Sequence, residues 1–259
     1  MAGFLFHDII FGPVRSRRLG LSLGINLLPA HKKHCSFNCI YCECGWTPIP
    51  SGNPLLFPDR KLVSQFLELR LKDMVEEDYL PDALTYAGNG EPTLHPEFAG
   101  IVDDTIFLRN KYVPSAKVSV LSNASMIHDP NIFMALLKLD NNILKLDAGS
   151  ERIFKLMNNP VLPVNYYDLI RNLKKFEGKL IIQSMFLRGY FKDQLVDNTT
   201  EEAAGEWMKQ VKEINPKMVM IYPIARATPV HTLEKIPVIE LEKIAKKVRE
   251  AGIEVRVYQ

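Results

Sequence analysis

Three of the four cysteines in this 259-residue chain, Cys35, Cys39 and Cys42, lie within eight consecutive positions. They belong to the segment HCSFNCIYCECG, residues 34–45, and their spacing is C-x3-C-x2-C. Three thiolates on one short loop can bind three corners of an iron-sulfur cube, because the residues between them let the chain wrap around it. The spacing alone therefore predicts a thiolate metal site and leaves the fourth corner of the cube unassigned.

Zinc binding and disulfide formation are the other uses of such thiols. A structural zinc ion needs four closed ligands, and only Cys44 or His34 is close enough in sequence to complete the set. Disulfides require an oxidising compartment, whereas residues 1–12 lack the charged start and long apolar run of a secretory signal. We therefore favour an iron-sulfur cluster over zinc and expect a protein of the reducing cytoplasm.

With Tyr41 directly before the last of them, the three cysteines resemble the cluster motif of the radical S-adenosylmethionine (SAM) enzymes. In that family the cysteines bind a [4Fe-4S] cluster, and the open iron takes the amino and carboxylate groups of SAM. One electron then cleaves SAM to methionine and a 5'-deoxyadenosyl radical, which abstracts hydrogen from the substrate. The resemblance implies both cofactors, a contact of the Tyr41 main chain with adenine, and a reducing partner such as a flavodoxin or ferredoxin.

Composition and charge narrow the protein class. Hydrophobic residues make up 47% of the chain and charged residues 24%, which is ordinary for a globular protein. The longest apolar runs, residues 179–187 and 218–224, have the length of strands and are far too short for a spanning helix. The length suits one α/β domain over residues 1–259. No membrane association is expected.

Basic residues are concentrated before the cysteines. Residues 9–42 contain no acidic side chain, and the net charge of the whole chain is only +2. This segment could attract an anionic substrate or an acidic electron donor, offset the negative charge of a cluster, or form a solvated face. A nucleic-acid-binding module and a non-enzymatic electron carrier stay open as alternatives to the enzyme. The basic residues are Arg15, Arg17, Arg18, Lys32 and Lys33.

Apolar and amphipathic segments alternate along the chain. Strands are predicted at residues 21–28, 83–87, 117–121, 143–146, 180–185 and 219–224, with an edge strand at 254–258. Helices are predicted at residues 59–77, 98–110, 131–139, 166–176, 201–214 and 239–251, the first capped by Asp59 with Leu62, Phe66, Leu69 and Met74 near one side. Residues 12–20 carry turn signals.

Strands separated by helices require crossover connections and hence a parallel sheet. No G-x-G-x-x-G motif follows the first strand, which argues against an ordinary Rossmann-like sheet. The order of six β-α units is similar to the open partial (β/α)6 TIM-like barrel of the radical SAM enzymes. In such folds the functional residues gather at the carboxyl ends of the strands.

The second strand runs into Gly88-Asn89-Gly90-Glu91, where the glycines let backbone groups approach a ligand. This element resembles the Gly-Gly-Glu motif that holds the amino group of SAM, with Asn89 inserted between the glycines. An ordinary glycine turn with a solvated glutamate is the alternative.

Polar residues at the later strand ends are further candidates for SAM contacts. Lys145 and Asp147 share one face of their strand by period-two geometry, so they either form a mutual salt bridge or contact a ligand. By analogy with the family, apolar groups near Ile224 pack on adenine. The remaining candidates for the carboxylate or ribose of SAM are Ser122, Asn123 and Gln183.

Arg188 and Arg226 are candidates for an anionic substrate, which could be a small molecule, a peptide or a tRNA. Residues 145–148, 157–160 and 226–229 are similar to the Fe-S oxidoreductases grouped with wyosine tRNA synthases. No cysteine precedes Cys35, so the second cluster of those synthases is not expected.

Overall fold

The computed structural model describes residues 4–48 and 56–259. Its strands are β1 (Ile10–Ser16), β2 (Gly20–Ile25), β3 (Ala83–Tyr86), β4 (Lys117–Ser122), β5 (Asn141–Lys145), β6 (Ile181–Phe191), β7 (Gln194–Asp197), β8 (Met218–Pro223), β9 (Glu234–Lys235) and β10 (Glu254–Val257). Its helices are α1 (Arg60–Glu76), α2 (Phe98–Tyr112), α3 (Pro130–Leu137), α4 (Glu151–Asn158), α5 (Tyr166–Lys174), α6 (Glu201–Ile214) and α7 (Val238–Glu250).

Seven strands form a parallel sheet in the order β2-β3-β4-β5-β6-β8-β10, and helices connect each to the next. The order runs from β1 at one edge to β10 at the other without closing within the described ranges. The predicted open, partial barrel of α/β type is therefore confirmed. The carboxyl ends of its parallel strands lie on one side of the sheet, as parallel pairing requires.

The strand β1 was not expected, because residues 12–20 read as a turn. It pairs antiparallel with β2, and its register shifts between Phe11 and Val14, where Gly12 and Pro13 lie. Proline lacks a backbone N–H but is tolerated at a bulge of an edge strand. The turn signals correspond to this bulge and to the tight connection after Ser16.

Helix α1 begins as predicted, with the Asp59 side chain accepting hydrogen bonds from two main-chain N–H groups of its first turn. The predicted apolar side is wrong except at Met74. The side chains buried against the sheet are Val63, Leu67, Leu71 and Met74. The exposed ones include Leu62, Phe66 and Leu69. Two apolar stripes lie side by side on this helix, and packing against the sheet selected one of them.

The main core lies between the sheet and its surrounding helices. A smaller apolar cluster of Ile143, Ile181, Met218 and Met220 lies on the other face of the sheet, inside the barrel. No helix among the described residues combines the length and apolarity needed to span a bilayer.

Candidate active site

The loop from His34 to Gly45 follows β2 and carries the four cysteines, all of which are free thiols. Its turns are closed by main-chain hydrogen bonds from Cys42 N to Cys39 O, 3.0 Å, and from Gly45 N to Cys42 O, 2.9 Å. Cys39 is buried, whereas Cys35 and Cys42 are half-buried. Within residues 4–48 and 56–259, no three His, Cys, Asp or Glu side chains form a group that could hold a metal ion. The metal centre of the three cysteines stays a prediction.

Residues 88–91 pair with the start of this loop through the main chain. His34 N donates to Asn89 O at 2.8 Å, and Glu91 N donates to His34 O at 3.0 Å. Gly90 adopts φ +141°, and a Cβ atom at this position would lie 1.8 Å from the His34 carbonyl oxygen. Only glycine permits this approach. Glycine is therefore required at position 90, where the segment after β3 packs against the start of the cysteine loop.

Asn89, the residue inserted between the two glycines, is completely buried. Its Nδ2 donates to Phe6 O at 2.8 Å and to Pro29 O at 2.9 Å, and its Oδ1 accepts from Phe6 N at 2.8 Å. Gly88, at φ +135°, packs closely on Asn26. The departure from the family pattern therefore has a structural reason, because Asn89 fastens the N-terminal segment to the cysteine loop.

Glu91 is buried rather than solvated, and its carboxylate accepts four hydrogen bonds from protein groups. The donors are Thr93 N at 3.1 Å, Thr93 Oγ1 at 2.5 Å, Ser122 Oγ at 2.8 Å and Asn123 N at 2.5 Å. Burial raises the pKa of this carboxyl, although these hydrogen bonds oppose the shift. The Asn123 side chain in turn donates to Cys35 Sγ at 3.4 Å. Glu91 thus orients the group that contacts the first cysteine.

Lys145 and Asp147 form the mutual salt bridge that the sequence left open, with Nζ 3.5 Å from Oδ2. Tyr41 joins them, because its hydroxyl donates to Asp147 and accepts from Lys145 Nζ at 2.9 Å. Burial raises the pKa of Tyr41, and the Asp147 carboxylate adds to the shift. Burial alone would lower the pKa of Lys145, but Asp147 and neighbouring groups leave it raised.

Asn158 is a site residue that sequence reasoning missed. Its Nδ2 donates to Asp147 Oδ2 at 2.8 Å and lies 3.5 Å from Cys39 Sγ. It ends helix α4, which the sequence analysis did not predict. The Asn-Asn-Pro run at residues 158–160 was the sequence signal that a helix stops there, and Asn159 adopts the left-handed conformation common at helix ends.

Cys42 and Cys44 interact through their thiols. The Cys44 hydrogen bond lowers the pKa of Cys42 and, with burial, raises that of Cys44 itself. Cys44 Sγ also lies 3.4 Å from Gly88 O. Burial raises the pKa of Cys35 to about 12. Cys44 therefore faces the predicted third cluster ligand and the glycine element together.

Gln183 lies inside the barrel, beside Lys145 in the β5–β6 register. Its Oε1 accepts from an Arg18 guanidinium nitrogen at 3.1 Å and lies 3.4 Å from the Tyr222 hydroxyl. Arg18 comes from the β1–β2 connection and lies over the Tyr222 ring at 5.2 Å, a placement that no local pattern predicted. Ile224 is half-buried against the main core.

A cavity of about 760 Å³ opens beside the cysteine loop. Arg226 lines it and pairs with Glu43 at 2.5 Å. Arg188 instead pairs with Glu240 and is outside the lining, so the structure separates the two arginines that the sequence grouped. The lining also includes Cys42, Trp46, Ser22, Gly24, Thr85, Ala87, Leu121 and residues 14–19 and 227–229.

No protein-family model matches the chain. It is 32% identical over 212 residues to a UPF0026 protein of Methanocaldococcus jannaschii, covering 80% of this chain and 61% of that one. A UPF0026 protein of Helicobacter pylori is 30% identical over 185 residues, 70% of this chain and 57% of that one. A Brachyspira hyodysenteriae protein named GTPase Obg is 28% identical over 252 residues, 96% of this chain and 34% of that one. The chain spans about a third to six-tenths of these relatives.

Solved structures resemble the chain along most of its length. A radical SAM methyltransferase from Sphaerobacter thermophilus superposes with a TM-score of 0.64 at 12% identity, over 92% of this chain and 65% of that one. The chain has the radical SAM fold. TYW1 with a lysine-pyruvate adduct gives 0.61 at 15% identity, over 88% and 73%. Streptococcus suis SuiB bound to SAM gives 0.61 at 16%, over 88% and 49%.

The radical SAM fold raises the question of whether these residues fit an iron-sulfur cluster. Thiolates are the usual protein ligands of such clusters, and hydrogen bonds to the sulfurs tune them. Here Asn123 directs an amide nitrogen at Cys35, and Asn158 directs one at Cys39. The donor set and its hydrogen-bonding surroundings fit the chemistry of a cluster.

Proposed function

We propose that the chain is a radical SAM enzyme in which Cys35, Cys39 and Cys42 bind a [4Fe-4S] cluster. When bound, the cluster would pass one electron from a reducing partner to SAM. Cleavage would give methionine and the 5'-deoxyadenosyl radical, which would take a hydrogen atom from the substrate. Residues of the chain bind and orient the two cofactors and shield the site from water.

The observation that supports this proposal best is the arrangement of hydrogen-bond donors around the cysteines. The amide of Asn123, after β4, contacts the first cysteine, and the amide of Asn158, at the end of α4, contacts the second. Two separate segments after different strands thus direct polar N–H groups at sulfur. A chain that used these cysteines only for packing would have no need of such donors.

SAM is proposed to bind where the strand ends meet the cysteine loop. Its amino group faces the 88–91 element, and its other polar groups face the carboxyl ends of β4, β5 and β6. The main chain of Tyr41 and the segment at Ile224 lie at its adenine. The salt bridge of Lys145 with Asp147 keeps its side of the loop in place. The proposed contacts are Tyr41, Gly88, Gly90, Glu91, Ser122, Asn123, Lys145, Asp147, Gln183 and Ile224.

The substrate is proposed to occupy the 760 Å³ cavity and to carry negative charge. Among the described residues that line this cavity, four are arginines and one, Glu43, carries a carboxylate. An arginine-rich wall favours phosphate or carboxylate groups through bidentate hydrogen bonds. A small molecule, a peptide or a tRNA could present such groups, and a flavodoxin or ferredoxin would serve as the electron donor. The four arginines are Arg15, Arg17, Arg18 and Arg226.

The deciding experiment is anaerobic reconstitution with iron and sulfide, followed by electron paramagnetic resonance of the reduced protein with and without SAM. We expect a [4Fe-4S] signal that shifts when SAM is added. Cys39→Ala should lose both the signal and SAM cleavage, whereas Cys44→Ala should keep them. SAM cleavage by Cys39→Ala would contradict the proposal. A signal indifferent to SAM would indicate an electron carrier, and bound zinc without a cluster a structural metal site.

A further inference from the structure

Lys33, two residues before the first cysteine, is a buried lysine with only 3% of its surface exposed. Its Nζ donates to Gly45 O at 2.9 Å, so the side chain crosses beneath the cysteine loop from its start to its end. The ammonium group has three donors, and a buried charge is costly unless an opposite charge accompanies it. The negative group that accompanies the Lys33 ammonium therefore indicates what this buried lysine does.

No carboxylate lies within ion-pair distance of Lys33 in the part of the chain that the structure describes. Gly45, which accepts the hydrogen bond from Lys33, donates its own N–H to Cys42 O at 2.9 Å, so the ammonium lies at the turn that follows the predicted third cluster ligand. A buried ammonium without a carboxylate partner among the described residues therefore lies against the loop that carries the three predicted cluster ligands.

Lys33 is also separate from the cavity. The lining of the cavity includes Cys42 and Gly45 but not Lys33, so the ammonium does not face the space available to substrate. The neighbouring Lys32 is half-buried, whereas Lys33 is buried. Two adjacent lysines therefore have different surroundings, which provides a matched comparison.

We propose that Lys33 is the fixed counter-charge of the thiolate-bound cluster and raises its reduction potential. This inference rests on the proposed function. Reduction adds one electron to a cluster that is already negative with its thiolates, and a nearby cation in a poorly polarisable interior stabilises the more negative state more strongly. Lys33 acts through the cysteines and is a positioning residue rather than a catalytic one.

The test is a redox titration with dithionite, followed by electron paramagnetic resonance, on wild type and three variants. In Lys33→Met, the equilibrium constant for one-electron reduction should fall about tenfold or more, which is a midpoint potential lower by about 59 mV. Lys33→Arg keeps the charge and should stay close to wild type. Lys32→Met removes the same charge from the neighbouring position and should also stay close to wild type.

A Lys33→Met protein with wild-type iron content and an unchanged midpoint would overturn the proposal, as would an equal fall in Lys32→Met. If Lys33→Met fails to take up iron, the result for Lys33→Arg is decisive. A Lys33→Arg protein that takes up iron and has the wild-type midpoint potential would support the role of the charge. Failure of both variants to take up iron would overturn the proposal. A wild-type protein with no cluster signal would instead refute the proposed function itself.

Discussion

Two buried carboxylates flank the cysteine loop, and they stabilise it in different ways. Glu91 lies after β3 and acts through Asn123, which contacts Cys35. Asp147 lies after β5 and binds Asn158, which contacts Cys39. Each carboxylate is 1% exposed, so water satisfies neither. Both must therefore find their hydrogen-bond donors within the protein.

Their donors differ in charge. Glu91 accepts only from neutral hydroxyl and main-chain groups, two of them on Thr93 within its own turn. Asp147 depends on a cation, Lys145, and on Tyr41, which is 106 residues away. Neutral donors thus hold the β3 side, whereas a charged network that reaches the cysteine loop through Tyr41 holds the β5 side. The two sides should respond differently to substitution.

The largest effect is expected for Asp147→Ala. It leaves the buried Lys145 ammonium without its carboxylate, and breaking such a pair costs about 3–5 kcal/mol of unfolding free energy. Urea denaturation of the protein without added iron measures it. Asp168→Ala removes an exposed partner of Arg171 and should cost less than about 1 kcal/mol. Equal losses of unfolding free energy in the two variants would show that the buried network at Asp147 stabilises the protein no more than an exposed ion pair does.

Gly90→Ala tests the β3 side through its backbone. Alanine is strained at φ +141°, at a cost of about 1–3 kcal/mol, and its Cβ must also displace the His34 carbonyl. Urea denaturation should show that loss, and the reconstituted protein should bind less iron. Gly205→Ala, within α6 with nothing within 4 Å of its Cβ, should gain about 0.5–1 kcal/mol. A stable Gly90→Ala protein with full iron content would refute the close contact.

Glu91→Gln should cost about 1–3 kcal/mol, because an amide N–H₂ replaces an acceptor oxygen. The raised pKa of Glu91 means that the folded protein binds this proton more tightly than the unfolded chain. Its stabilising contribution is present below the unfolded pKa of about 4.3 and is lost as pH rises through the folded value. The stability gap between wild type and Glu91→Gln should therefore narrow as the pH rises above about 4.3 in urea titrations. A widening gap would mean a lowered pKa.

The smallest effect on stability is expected for Arg226→Ala, at the rim of the cavity. Its side chain is 69% exposed, so losing the pair with Glu43 should change the unfolding free energy by less than about 0.5 kcal/mol. The SAM-dependent shift in the paramagnetic resonance spectrum should also persist, because this residue is proposed to face substrate. Loss of that shift would move Arg226 to the SAM site.

Much of the fold followed from local patterns. The helix Glu201–Ile214 has the predicted bounds, and Asp59 caps α1 as expected. Helix ends and strand periodicity depend on residues a few positions apart, so a single sequence reveals them. The edge strand β1 and the buried face of α1 were misjudged, because partner strands and packing decide them. Likewise, Asn158 and Arg18 reach the site from distant elements.

The sequence by itself determined the cysteine spacing, the alternation of strands and helices, and the glycines and polar residues after the strands. Tertiary structure decided which of these groups meet. It buried Glu91 among neutral donors, paired Lys145 with Asp147, and buried Lys33 against the end of the cysteine loop. The physical reason is that burial and ion pairing depend on groups brought together across the sheet, whose sequence separation carries no local signal.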